Sequence, residues 1–166
     1  MFMINLRNGE IYVIKLKTFG SFTVGNDLTS VQEGAWRSEK LEKLFVYLAM
    51  NRNRGVCIED ISEAIWQVEE ETDNPVGALK NLAYRLRKAL RDASFDEECI
   101  VSVRGGLYKW NDDVEVSIDV EEFDRYINEA EFAFSRSKET AIESYEKAIA
   151  LYNGDFLSRL TDTHWF

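Results

Sequence analysis

The spacing of apolar residues predicts a short sheet at the start of the chain, followed by a helix. The runs IYVIKL, from Ile11, and FGSFTV, from Phe19, alternate apolar and polar positions and are separated by turn-forming residues. We therefore expect a small antiparallel sheet. From Arg37 the period becomes helical, and the helix should end within Asn51–Gly55. Its inward stripe is expected to be Leu41, Leu44, Phe45 and Leu48, and its other face Glu39, Lys40, Glu42 and Lys43.

Two more helices are predicted downstream. The second, Ile58 to Trp66, turns its isoleucines inward and has acidic residues in its first turn, where they suit the helix dipole. The third begins at Asn74-Pro75, an N-cap side chain followed by the residue that fits the first helical position, and runs to about Arg91. Its inward stripe is expected to be Leu79, Leu82 or Ala83, Leu86 and Leu90. Between residues 76 and 91 there are five basic residues and no acidic one, so its outward face is basic.

A hairpin is predicted after the third helix. The segments CIVSV and LYKW flank Gly105-Gly106, a pair suited to a two-residue turn and too short to be a phosphate loop. Arg104 then lies beside the tip. Residues 113–118 are interpreted as a link.

The last predicted elements are two helices, Asp119 to about Ser135 and Lys138 to about Tyr152. Together they span 34 residues, the period of a tetratricopeptide helix pair. Their apolar lining is expected to be Phe123, Tyr126, Ile127 and Ala130 on the first helix, and Ala141, Ile142, Tyr145, Ala148, Ile149 and Tyr152 on the second. Because one such pair cannot bury its own apolar faces, we expect it to pack on the preceding domain or on another copy, and the native protein to continue past residue 166.

Composition argues against a membrane protein, a metal site and an enzyme. No apolar run approaches the ~18 residues that span a bilayer, and the first residues do not form a signal peptide, so a cytoplasmic protein is expected. Cys57 and Cys99 lack zinc-ligand spacing and are expected to be buried thiols. The only histidine, His164, lies near the end of the sequence, which argues against histidine-dependent catalysis. No metal or cofactor is expected.

The distribution of charge changes the meaning of a net charge of −10, which by itself argues against nucleic-acid binding. Residues 1–113 contain 15 basic and 18 acidic residues, whereas residues 114–166 contain 5 and 12. The acidity therefore belongs mainly to the second part. Positive charge is concentrated on the third helix, with Arg104 at the hairpin.

Three helices followed by a hairpin, with the basic face on the third helix and the hairpin, is the order of a winged helix-turn-helix. The segments WRSEKLEKLFVYLAMNRNRGVCIEDISEAIW, ALKNLAYRLRKAL and IVSVRGGLYKW resemble the DNA-binding domain of OmpR/PhoB-type response regulators. The segments SIDVEEFDRYINEAE and AIESYEKAIALYNGDFL are similar to the bacterial transcriptional activation domain of SARP-like activators.

This resemblance implies a fold and a function. The fold is an α+β winged helix-turn-helix over residues 1–113, with an N-terminal antiparallel sheet, three helices and a C-terminal wing hairpin. The start of an all-α tetratricopeptide-like unit follows over residues 114–166. The function is sequence-specific DNA binding by a transcriptional activator that contacts RNA polymerase and binds DNA as a head-to-tail homodimer.

The resemblance also assigns site residues. On the recognition helix the DNA-binding residues that it implies are Lys80, Asn81, Tyr84, Arg85 and Lys88, and on the wing Arg104. The position of Arg87 and Arg91 on the same helix adds these two as DNA-binding candidates. Asn81, Arg85 and Lys88 form one row that can follow the floor of the major groove. Arg87 and Arg91 lie further round and are better placed for phosphates. The alternative interpretation of this basic face is an ordinary solvated surface.

Other conspicuous residues have competing interpretations. Trp36 and Trp66 flank apolar helices and are interpreted as core anchors rather than base-stacking platforms. In the acidic segment 67–73, the sequence favours a solvated loop, while the resemblance implies that Glu69, Glu70 and Glu71 contact RNA polymerase. For the whole chain, the alternative is a protein-interaction module built on a winged helix that no longer binds DNA.

Overall fold

The computed structural model describes residues 6–7, 10–11, 13–26, 29–66, 74–95 and 97–160. The elements, in chain order, are β1 (Leu6–Arg7), β2 (Glu10–Ile11), β3 (Val13–Lys17), β4 (Thr23–Gly25), β5 (Ser30–Gln32), α1 (Glu39–Met50), α2 (Ile58–Ile65), α3 (Pro75–Asp92), a 3-10 turn (Glu97–Cys99), β6 (Ile100–Val103), β7 (Leu107–Trp110), β8 (Glu115–Ile118), α4 (Asp119–Phe134) and α5 (Lys138–Leu151). The predicted winged helix-turn-helix followed by a helical unit is confirmed.

The N-terminal sheet contains two strands, β5 and β8, that the sequence pattern did not predict. Its order is β5-β4-β3-β8, with β3 and β4 antiparallel as predicted. The interpretation of residues 113–118 as a link is wrong, because β8 pairs in parallel with β3 and places Val116 opposite Ile14. Val114 and Ile118 are buried, which gives this short segment its place in the core.

Helix α1 buries more of its surface than its pattern predicts. Leu44 and Phe45 are fully buried, but Glu42 and Lys43, expected on an outer face, are only 4% exposed. Both charges have partners. Glu42 Oε1 accepts a hydrogen bond of 2.7 Å from the Gly34 N–H, and Lys43 Nζ lies 3.0 Å from a Glu39 oxygen. The loop before α1 covers this face, and a helical period cannot show that.

The environment of Glu42 makes a pH-dependent contribution to stability. Burial is the largest cause and raises the pKa of its carboxyl above the ordinary 4.5; the Gly34 N–H lowers the pKa, and Glu33 and Glu39 raise it further. An acid whose pKa rises on folding binds more protons in the folded state. Stability from this group therefore falls as the pH rises from 4.5 toward the raised pKa.

Glu42→Gln should therefore stabilise the protein at pH 7. Glutamine keeps an oxygen for the Gly34 N–H and removes the desolvated charge, so we expect thermal unfolding to shift up by about 2–4 °C. The shift should shrink as the pH approaches 4, where the wild-type carboxyl is protonated. Glu63→Gln, at an exposed position on α2, serves as the control and should change little. A lower melting temperature at pH 7, or a pH-independent gain, would contradict this assignment.

The hairpin after α3 differs from its prediction in the turn. Val103 pairs with Leu107, so the turn contains three residues rather than two, and Arg104 is part of it. Gly105 and Gly106 have φ angles of +90° and +78°, which favour glycine. The Val56 and Tyr108 backbones exchange two hydrogen bonds of 2.8 Å and attach β7 to the loop before α2.

The helical pair, α4 and α5, packs through small residues. Ala130, Ala141 and Ala148 are buried. Several large residues that were expected to line the pair are instead exposed, because the two helices meet closely at these alanines. They are Ile142, Ile149 and Tyr152, with Phe132 and Phe134 exposed as well.

The expected packing of the helical pair on the winged helix is confirmed. The Phe19 ring lies with its centroid 5.3 Å from those of both Phe123 and Tyr152. After α5 the chain returns to the sheet, where the Leu157 N–H donates to the Thr18 carbonyl at 2.7 Å. Leu157 and Leu160 join the main core. No helix among the described residues has the length and apolarity to cross a membrane.

The two cysteines differ in environment. Cys99 is buried at the end of the 3-10 turn, as predicted. Cys57, predicted to be buried, is only half-buried because it is the N-cap residue of α2 and lies at the surface end of that helix. Neither cysteine forms a disulfide within the described residues.

Candidate nucleic-acid interface

The start of helix α3 is determined by a capping residue, and its orientation by an apolar inner stripe. The Asn74 side chain accepts a hydrogen bond of 2.9 Å from the Gly77 N–H, and Pro75 is the first helical residue, as predicted. The inner residues Leu79, Leu82, Ala83, Leu86 and Leu90 are buried. Because these residues fix the rotation of the helix, the opposite face must point outward.

The outward face of α3 is basic and open. Lys80, Asn81, Tyr84, Arg85, Lys88 and Arg91 are exposed. The Tyr84 ring is 65% exposed at the centre of this face. Within the described part of the chain, the side chains of Lys80, Asn81, Arg85 and Lys88 form no hydrogen bond or ion pair. Their donors are available to phosphates and to base edges.

Two arginines of α3 have partners within the fold. The Arg87 guanidinium donates from Nε and Nη2 to the Ile100 carbonyl at 3.1 and 3.0 Å, and from Nη2 to Ser102 Oγ at 3.3 Å. Arg91 Nη2 lies 2.6 Å from Glu97 Oε2. Both contacts join α3 to the wing or to the turn before it. No pattern in the sequence indicates these partners, which lie beyond the end of the helix.

The wing presents its arginine at the tip. Arg104 is exposed, like the two glycines after it, and forms no ion pair with any described residue. The neighbouring cation, Lys109, is instead paired with Asp112. The tip therefore offers one available positive charge on a narrow, glycine-rich turn.

Trp36 and Trp66 pack against the core, as predicted. The Trp36 ring makes edge contacts with Phe22 and Phe45, with centroids 6.3 and 5.4 Å apart. Trp66 packs against the core, and Lys40 Nζ lies 5.9 Å from its ring centroid. Neither ring is an open platform for base stacking.

The predicted polymerase-contacting residues Glu69, Glu70 and Glu71 lie outside the described residues. So does His164. Their roles stay predictions from sequence.

Comparison with known proteins identifies the part of the chain that carries this interface. Residues 33–110 match the family described as "Transcriptional regulatory protein, C terminal". The match begins just after β5 and ends with β7, and so includes α3 and the wing. The chain is therefore similar to this family over residues 33–110, the part of the sequence that resembles an OmpR/PhoB-type DNA-binding domain. No curated protein sequence matches the chain.

Comparison of the fold with solved structures finds a likeness that extends beyond residues 33–110. The chain resembles the solved structure of Mycobacterium tuberculosis EmbR in complex with a low-affinity phosphopeptide, with a TM-score of 0.72 and 21% identity. The match covers 91% of this chain and 39% of the EmbR chain, so this chain spans about two fifths of that protein's length. The predicted fold, a winged helix followed by a helical unit, is thus confirmed over nearly the whole chain, and the family match supports a transcriptional regulatory domain over residues 33–110.

Proposed function

We propose that this OmpR/PhoB-type domain binds double-stranded DNA sequence-specifically, and that the protein is a cytoplasmic regulator of transcription, acting as an activator. The observation that carries the proposal is the exposed face of α3. Its cations have no acidic neighbour between residues 76 and 91, although the protein as a whole has a net charge of −10. Such segregation directs phosphates to this one face and repels them elsewhere.

The chemistry of the individual side chains supports separate roles. The row of Asn81, Arg85 and Lys88 suits the major groove, because asparagine can bond to adenine in pairs and arginine or lysine to guanine O6 and N7. Lys80 and Tyr84 flank this row and can bond to phosphates. Arg104 at the wing tip suits the minor groove, whose potential is most negative where it is narrow.

Arg91 contributes to phosphate binding in this proposal. Its side chain is 57% exposed and its ion pair with Glu97 lies at the surface. Surface pairs contribute only ~0–1 kcal/mol, so a phosphate can take the place of Glu97. Arg87 is held more firmly, because its guanidinium donates to the backbone carbonyl of Ile100.

A salt titration of the chain with duplex DNA tests the proposal. Binding should weaken steeply with added salt, since each phosphate contact releases counterions. Undetectable binding at low salt would contradict it and favour the alternative of a winged helix that docks a protein. The exposed apolar residues of the helical pair, such as Phe134 and Ile149, are the observation that would support that alternative.

The partners implied by the resemblance form the second part of the proposal: the protein contacts RNA polymerase and binds direct repeats as a head-to-tail homodimer. Glu69, Glu70 and Glu71 precede α3 in sequence and repel phosphate. Replacing all three with alanine should leave DNA affinity unchanged or up to about threefold tighter, because three negative charges that precede α3 in sequence are removed. The same change should abolish most activation in a reconstituted transcription assay. Parallel losses of binding and activation would instead indicate a structural role.

A further inference from the structure

We propose that Arg87 is a positioning residue that holds the wing at a fixed place relative to α3, so that the row on α3 and Arg104 meet the DNA as one rigid unit. The effect of Arg87 on DNA affinity rests on the proposed function, whereas its hold on the wing exists in the free protein. It concerns the one basic residue of α3 whose side-chain donors are satisfied by the wing backbone itself.

The geometry of the contact indicates that the Arg87 guanidinium holds the wing strand and is not open for binding to DNA. Two nitrogens of the planar guanidinium converge on a single carbonyl, that of Ile100, the first residue of β6. Such a fork fixes orientation as well as distance. Arg87 is only half-exposed, whereas its neighbours Arg85 and Lys88 are exposed and unpaired among the described residues.

The wing needs a restraint at this point. Among the described strands, β6 pairs only with β7, so its outer edge has no strand partner. Arg87 occupies that edge through the Ile100 carbonyl and the Ser102 hydroxyl. The Arg91–Glu97 pair joins α3 to the turn before β6, but at half-exposed side chains it supplies little restraint. Beside the shared apolar core, Arg87 is therefore the described polar side-chain contact that joins the recognition helix to the wing strand itself.

Loss of the contact between Arg87 and β6 should affect DNA binding through Arg104 at the tip of the wing. The turn of Arg104, Gly105 and Gly106 contains two residues with unusual backbone freedom. If β6 is not held, Arg104 samples many positions, and ordering it on DNA costs entropy that the wild type does not lose at binding. Removing Arg87 should thus weaken the contribution of Arg104.

The first experiment measures the free protein. Hydrogen exchange of the amides of residues 103–107 is compared in the wild-type chain and in the variants Arg87→Ala, Arg87→Lys and Lys88→Ala. Both Arg87 variants should speed exchange in the wing by about tenfold or more while the amides of α1 keep their protection, because lysine cannot reproduce the fork. Lys88→Ala is the matched control and should leave the wing unchanged. Unchanged wing exchange in Arg87→Ala would overturn the proposal whether or not the protein binds DNA.

The second experiment measures DNA affinity in a double-mutant cycle. We expect Arg104→Ala to weaken binding about tenfold in the wild-type background and less than threefold in the Arg87→Ala background. In the Lys88→Ala background the tenfold loss should persist. Additive losses for Arg87 and Arg104, with full rescue by Arg87→Lys, would identify Arg87 as an ordinary phosphate contact and contradict positioning. A wild-type chain that binds no duplex would contradict the proposed function and leave the exchange result to decide the role of Arg87.

Discussion

Replacing Asp119 with alanine is expected to lower the free energy of unfolding by roughly 3–5 kcal/mol, the scale of a disrupted buried hydrogen-bond network. Asp119 is the first residue of α4 and is buried. Its carboxylate accepts hydrogen bonds from the Thr18 N–H at 2.8 and 2.9 Å, from the Thr18 hydroxyl at 2.6 Å and from the Phe19 N–H at 3.1 Å. Thr18 is fully buried, so alanine at position 119 leaves its donors without a partner or water.

The same carboxylate connects the winged helix to the helical pair, so its loss should loosen both. A bidentate contact between Arg52 and Glu121 provides a second connection, but its side chains are partly exposed. Urea unfolding of the whole chain measures the change, with Asp124→Ala, an exposed position on α4, as the control. Asp119→Asn keeps one acceptor oxygen, so its loss in the free energy of unfolding should lie between those of Asp119→Ala and Asp124→Ala. A loss below about 1 kcal/mol for Asp119→Ala would contradict the role of this network.

What the sequence predicted well was local. The Asn74 cap, the leucine stripe of α3 and the glycines of the wing each depend on neighbours within a few residues, where spacing and backbone preference are sufficient. The outward face of α3 follows from the same stripe. Exposure of Asn81 and Arg85 was therefore predictable without knowledge of the rest of the fold.

What the sequence missed depends on distant partners. The strand β8 forms only because β3, a hundred residues earlier, provides an edge for it. The bonds between Thr18 and Asp119 span a similar separation. Arg87 looks like any other cation of the basic face until Ile100 is placed beside it. Non-local pairing of this kind leaves no periodic trace in either segment.

Loss of Asn81 or Arg85 is expected to cost roughly 1–3 kcal/mol in binding to the preferred duplex, because each removes a potential bidentate contact to a base edge. Both side chains are exposed and unpaired among the described residues, so their truncation should not disturb the fold. Preference for the correct base at the contacted position should relax at the same time. Lys138→Ala, an exposed cation on α5, changes the charge without touching the interface and should leave affinity within about twofold.

Arg91 should behave differently, because it faces phosphates in the proposed complex. Its loss should weaken binding to all sequences alike and lower the slope of log affinity against log salt by about one. The cost should be moderated because the wild-type Arg91 gives up its ion pair with Glu97 when it binds a phosphate. Selection of bound duplexes from a random pool supplies the preferred sequence for these comparisons.

DNA binding through α3 is tested by competition titration of Asn81→Ala, Arg85→Ala and Arg91→Ala against the selected and a scrambled duplex at several salt concentrations. We expect the first two variants to lose affinity mainly for the selected duplex, and Arg91→Ala to lose affinity equally for both. Equal losses on both duplexes for all three variants would contradict the division between base reading and phosphate binding. No loss for any of them would contradict DNA binding through α3.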